Sequence, residues 1–124
     1  MALFETADST EALLQLFYVA QGKNETGPRP DQLLAVVQEY AHDHPQGHPF
    51  TAYFDGREMI CPLCRCLPSP FVGDLRKLIS EELIAIRDNG CVEVTVLGAC
   101  LAYVRKLPNS LMELEERTGR LASS

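Results

Sequence analysis

The sequence predicts an α+β domain: a small antiparallel sheet, a hairpin over residues 50–61 plus strands within 91–104, packed against three main helices and stabilised by zinc. Three observations carry that expectation. Apolar residues recur at helical spacing in three separate stretches, which marks amphipathic helices. The run Cys91-Val92-Glu93-Val94-Thr95-Val96-Leu97 alternates valine with other residues, the period of a strand. Between these, residues 42–66 hold all three histidines and three of the five cysteines around an Asp55-Gly56 pair. Asp-Gly suits a two-residue hairpin turn, because both turn positions need positive φ.

The 124 residues are read as one domain, 1–124, with 1–7 and 119–124 expected to fray. Hydrophobic residues make up 46% and charged residues 23%, an ordinary globular balance, and no run is apolar enough to span a bilayer. The opening MALFETADSTEALL is acidic and lacks a basic n-region. It reads as an intracellular start, cytoplasmic or nuclear. A formal charge of -6 argues against nonspecific nucleic-acid binding, which relies on clustered Lys and Arg.

Taken in order, Asp8 and Glu11 mark a helix start by their capping-box spacing, and Leu13, Leu14, Phe17 and Ala20 share one face. Gln21-Gly22 stops that helix. Pro30 opens a second, with Leu33, Leu34, Val37 and Tyr40 inward, ending near His42. The hairpin follows, with Phe50 across from Cys61 and His48 opposite Leu63. Ser69 caps a third helix over residues 70–87, buried through Leu75, Leu78, Ile79, Leu83 and Ile86 and stopped by Asn89-Gly90. The strand 91–97 comes next, Gly98 interrupts it, and 99–104 returns as a partner strand or bends on at a glycine bulge. Ser110 caps a short charged helix at the end.

The chemistry is concentrated in the hairpin. Zinc takes four nitrogen or sulfur ligands in a tetrahedron, and a Cys-x-x-Cys loop supplies two at the right bite. Cys61 and Cys64 form that loop, the hairpin register adds His48, and Cys66 is nearest in sequence for the fourth position. His44, Cys91 and Cys100 are alternatives that the fold would have to deliver, although Cys91 and Cys100 read first as packing residues. The expected metal set is therefore His48, Cys61, Cys64 and Cys66, and the cofactor a structural zinc.

Function is expected to be that of a small intracellular accessory or regulatory protein that binds another protein. A groove flanked by Met59, Leu67 and Phe71 is one contact surface, and an exposed sheet edge offers a homodimer. Two other readings stay open. Cys61 and Cys64 with His48 could serve a thiol-dependent enzyme or redox protein. A zinc-stabilised nucleic-acid-binding module is the third.

Overall fold

Helix α1 (Ser9–Gln21) runs through the centre of the computed structural model, which describes residues 9–44, 49–54, 67–105, 107 and 111–122. Ala12, Leu13, Leu14, Leu16, Phe17 and Ala20 are all at most 3% exposed. The helix touches α2 (Pro30–Asp43), α4 (Ser69–Ser80), β2 (Val92–Val94), α5 (Val96–Val104) and α6 (Met112–Ala122). A helix apolar on every side must be enclosed, and this one is. The single buried face expected from its spacing is thus too narrow.

The N-terminal end of α1 is tied down by Asp74 in α4. Its carboxylate accepts from Ser9 Oγ (2.8 Å), Thr10 Oγ1 (2.7 Å) and the Tyr53 hydroxyl (2.6 Å). Tyr53 lies in a helical turn, α3 (Thr51–Phe54), and packs edge-on against Phe71 at 5.2 Å. That turn overturns the strand expected over 50–54, and the register that placed His48 beside the Cys-x-x-Cys loop goes with it. Aromatic burial decides here: Phe50 and Tyr53, at i and i+3, point together into the core, which an extended chain would not allow. Phe71 is fully buried, so it does not flank a contact groove.

Helix α2 starts as expected at Pro30, with the Gln32 side chain accepting from the Arg29 amide (2.9 Å). It buries Leu33, Leu34, Val37 and Tyr40, the stripe that the spacing marks. Helix α6 locks onto its C-terminal end. Arg117 donates to Asp43 (3.0 Å) and Glu113 (2.5 Å) while its guanidinium sits 5.7 Å over the Tyr40 ring.

The third helix ends at Ser80 rather than Arg87. Its exit is a Schellman turn: Leu83 N donates to Leu78 O (2.9 Å) and Glu82 N to Ile79 O (2.9 Å), with Glu82 left-handed at φ 62°. The freed residues form β1 (Ile84–Ile86), which pairs antiparallel with β2 in the register Ile84↔Val94, Ala85↔Glu93, Ile86↔Val92. Asp88-Asn89-Gly90 is the hairpin loop, closed by Arg87 N to Cys91 O (2.8 Å), and Gly90 at φ 85° supplies its left-handed residue. The outer edge of β2 is covered as well. Gly27 N and Pro28 O bond to Val92, and Gln21 Oε1 accepts from Val94 N (2.8 Å), which closes that edge to another strand.

The described chain is therefore mostly helical with one small two-stranded antiparallel sheet, an α+β arrangement. Its strands are 84–86 and 92–94 rather than the 50–61 hairpin and a partner within 91–104.

Candidate functional site

The largest departure from the sequence reading lies at residues 96–104, which form helix α5 instead of a strand. Local chemistry accounts for it. Thr95 is an N-cap residue whose hydroxyl accepts from Gly98 N (3.0 Å) and donates to the carbonyl of Glu82 (2.7 Å). Its own amide donates to Leu83 O (3.1 Å), so one residue both ends the sheet and starts the helix.

Helix α5 then packs through its small residues. Gly98 and Ala102 are buried, and Ala99 and Leu101 partly so. The approach at Gly98 is so close that an added Cβ would lie 2.1 Å from Leu83 O. From the other side, buried Gln15 of α1 donates to Ala102 O (2.8 Å), one of the last-turn carbonyls that a helix leaves without an internal partner. Arg105 pairs with Glu11 of α1 just beyond the C-terminal end.

With small residues inward, the large ones face out. Val96 is 83% exposed, Leu97 57%, Tyr103 71% and Val104 76%, and Cys100 between them is exposed too. Positions 96, 97, 100, 103 and 104 fall on one helical stripe, and no residue from 96 to 104 is charged. Singly exposed apolar side chains are ordinary, whereas a contiguous stripe of them is the mark of an interaction surface. The helix is inverted relative to a surface helix of a self-sufficient domain.

A second feature, an open groove of about 720 Å³ between α2 and α6, is lined by Val36, Glu39, Asp43, Met112, Glu113 and Arg117 among others. Its charged groups are spent on each other. Arg117 already bonds Asp43 and Glu113, which hold its guanidinium above the usual arginine range, the Asp43 hydrogen bond foremost. His44 Nε2 lies 3.4 Å from Glu113 and its ring stacks on Tyr40 at 4.4 Å. Burial, with the Glu113 charge second, raises the Tyr40 phenol above its ordinary value near 10, and Arg117 works against that rise. The cluster fastens two helices; it presents no free group to a substrate.

The expected metal ligands His48, Cys61, Cys64 and Cys66 lie outside the described residues, as does Met59. Among the described residues, no three His, Cys, Asp or Glu side chains come together as a metal site. Cys100, read as packing, is exposed, and Cys91 is half-buried after the hairpin loop. Among the described residues no helix is long and apolar enough to cross a membrane.

The α5 surface escapes a sequence reading because an uncharged helix with two valines imitates a buried strand. The available signal is Thr95 three residues before Gly98, the spacing of a cap to its receiving amide. Comparison adds no relative: no family model, no curated protein and no solved structure matches the chain.

Proposed function

We propose that this chain is an accessory binding protein that docks another protein on the outward face of α5. The observation that carries the reading is the exposed stripe Val96, Leu97, Cys100, Tyr103 and Val104 on a helix whose small residues are packed inward. Covering a large apolar side chain is worth about 1.5–3 kcal/mol when burial is complete. Four of them supply roughly 5–10 kcal/mol, set against an association cost of about 4–15 kcal/mol. A partner must therefore bring apolar surface of its own, and the affinity is that of a regulatory contact rather than a permanent one. Helix-in-groove recognition uses this pattern of anchors at i, i+3/i+4 and i+7.

A protein fits better than the other macromolecules. The net charge of -6 opposes polyanions and anionic bilayers, and the stripe itself carries no base for a phosphate. The same proposal includes a structural zinc on the Cys61, Cys64, Cys66 and His48 segment, supported by the Cys-x-x-Cys spacing.

The test is a photo-reactive residue in place of Tyr103, in the full chain expressed in its native cells. A discrete protein adduct should form and should vanish when Val96→Asp and Val104→Asp are added. No adduct above that seen with the photo-reactive residue at exposed Glu81, or one that survives both substitutions, overturns the reading.

A further inference from the structure

The exposed residues of α5 are arranged symmetrically about Cys100. Val96 and Leu97 lie four and three positions before it, and Tyr103 and Val104 three and four positions after. A helix face with that property is self-complementary in the antiparallel sense. A two-fold axis through Cys100 sets each position 100+k against position 100−k of a second copy. Resting on the docking role proposed for α5, we infer that the occupant of this face is a second copy of the chain, paired antiparallel through α5 with the two Cys100 residues at the axis.

The chemistry at each contact agrees. Val96 meets Val104 and Leu97 meets Tyr103, twice each, so every large side chain on the stripe finds an apolar one. Cys100 is the smallest residue on the stripe and lies at the centre, where the two helices come closest. No charge on the face confronts its own image, the usual obstacle to an isologous interface. At the ends, Arg105 is carried toward the second copy's Thr95, whose hydroxyl bonds the carbonyl of Glu82 next to Glu81. Basic end thus meets acidic end, and the two helix dipoles run opposed.

The area sets the strength. Taking roughly 100 Å² for each fully exposed side chain, the stripe offers on the order of 350 Å² per copy. A standard interface uses about 800 Å² per partner. The dimer is therefore weak, with a dissociation constant of tens of micromolar or above, and it forms where the chain is concentrated.

Sedimentation velocity of the full-length protein from about 1 to 500 μM, with copper-phenanthroline oxidation and peptide mapping in parallel, tests the inference. The expected results are a reversible monomer–dimer equilibrium and a Cys100–Cys100 linked peptide that is lost in Cys100→Ser. Cys100→Ser itself should still dimerise, and Val104→Asp should raise the dissociation constant at least tenfold with an unchanged melting profile. A chain that stays monomeric throughout overturns the dimer, as does a dimer indifferent to Val104→Asp whose Cys100 residues never link. The docking role fails separately: if the Tyr103 photo-adduct with any other protein is also missing, both ideas fall, whereas an adduct with a different protein removes only the second copy.

Discussion

Gly98→Ala is the substitution that most sharply tests how α5 is seated. In a helix interior, alanine is normally better than glycine by about 1 kcal/mol. Here the new methyl would lie 2.1 Å from Leu83 O and 3.0 Å from Val94 Cγ1. The first of these is main chain and cannot swing aside. To restore an ordinary contact of 3.4 Å the helix must retreat by about 1.3 Å. Such a shift strains the Thr95 N to Leu83 O bond (3.1 Å) and the Gln15 bond to Ala102 O (2.8 Å). Overpacking costs about 1–3 kcal/mol and each weakened hydrogen bond about 1 kcal/mol. After the gain in helix propensity, the net loss is about 2–3 kcal/mol. For a chain of this size that lowers the melting temperature by roughly 6–15 °C. Gly73→Ala provides the control. It lies inside α4 with nothing within 4 Å of the added Cβ, so the same substitution should stabilise by about 0.5–1 kcal/mol. Thermal unfolding followed by circular dichroism reads both. If Gly98→Ala melts at or above the unsubstituted protein, α5 does not rest on Leu83 and its outer face is not where it has been placed.

Three further outcomes are expected. Asp74→Ala removes the acceptor of three hydroxyls and leaves the buried Tyr53 hydroxyl without that bond, a loss of about 2–4 kcal/mol in urea unfolding. Tyr40→Phe should flatten the alkaline end of the stability profile. The fold raises the Tyr40 pKa, so its contribution is intact below about pH 10 and is lost as pH climbs through the higher folded value; an unchanged slope in the variant contradicts this. Elemental analysis of untagged protein should find about one zinc per chain, and a chelator should both release it and lower the melting temperature. Protein that is metal-free as purified and indifferent to the chelator would remove the zinc from the proposal.

Much of the fold can be read from the residues, and where the reading stops has physical causes. Helix α2 declares itself through Pro30 and the Leu33, Leu34, Val37, Tyr40 stripe, because one face is wet and the other dry. Helix α1 is visible as a helix, but its full enclosure shows only in the unbroken apolar run from Ala12 to Leu14 and the pair Leu16-Phe17. Asn89-Gly90 was equally suited to stopping a helix or turning a hairpin. The structure uses Gly90 for the hairpin and lets Glu82, a residue with no reputation for left-handed backbone, end α4. Thr51 to Phe54 are good strand formers that became a helical turn because Phe50 and Tyr53 must enter the core together.

The α5 surface shows the limit most clearly. Alternation through Val92, Val94 and Val96 runs two residues past the true strand end, and short apolar runs do not distinguish strand from helix by period alone. Nothing in a one-dimensional pattern tells that Gly98 and Ala102 face in while Val96 and Tyr103 face out. That requires knowing that a main-chain oxygen, Leu83 O, stands where a side chain would otherwise go.

The most direct measurement is the alkylation rate of Cys100, read by mass spectrometry of its peptide. Brief maleimide treatment of the purified protein at nanomolar concentration is compared with the same treatment of intact cells that make it. The predicted result is rapid labelling in dilute solution, where the thiol is exposed, and strong protection in the cell, where a partner covers α5. Equal rates in both settings would show that this face stays bare where the protein works, and would contradict a docking role for it.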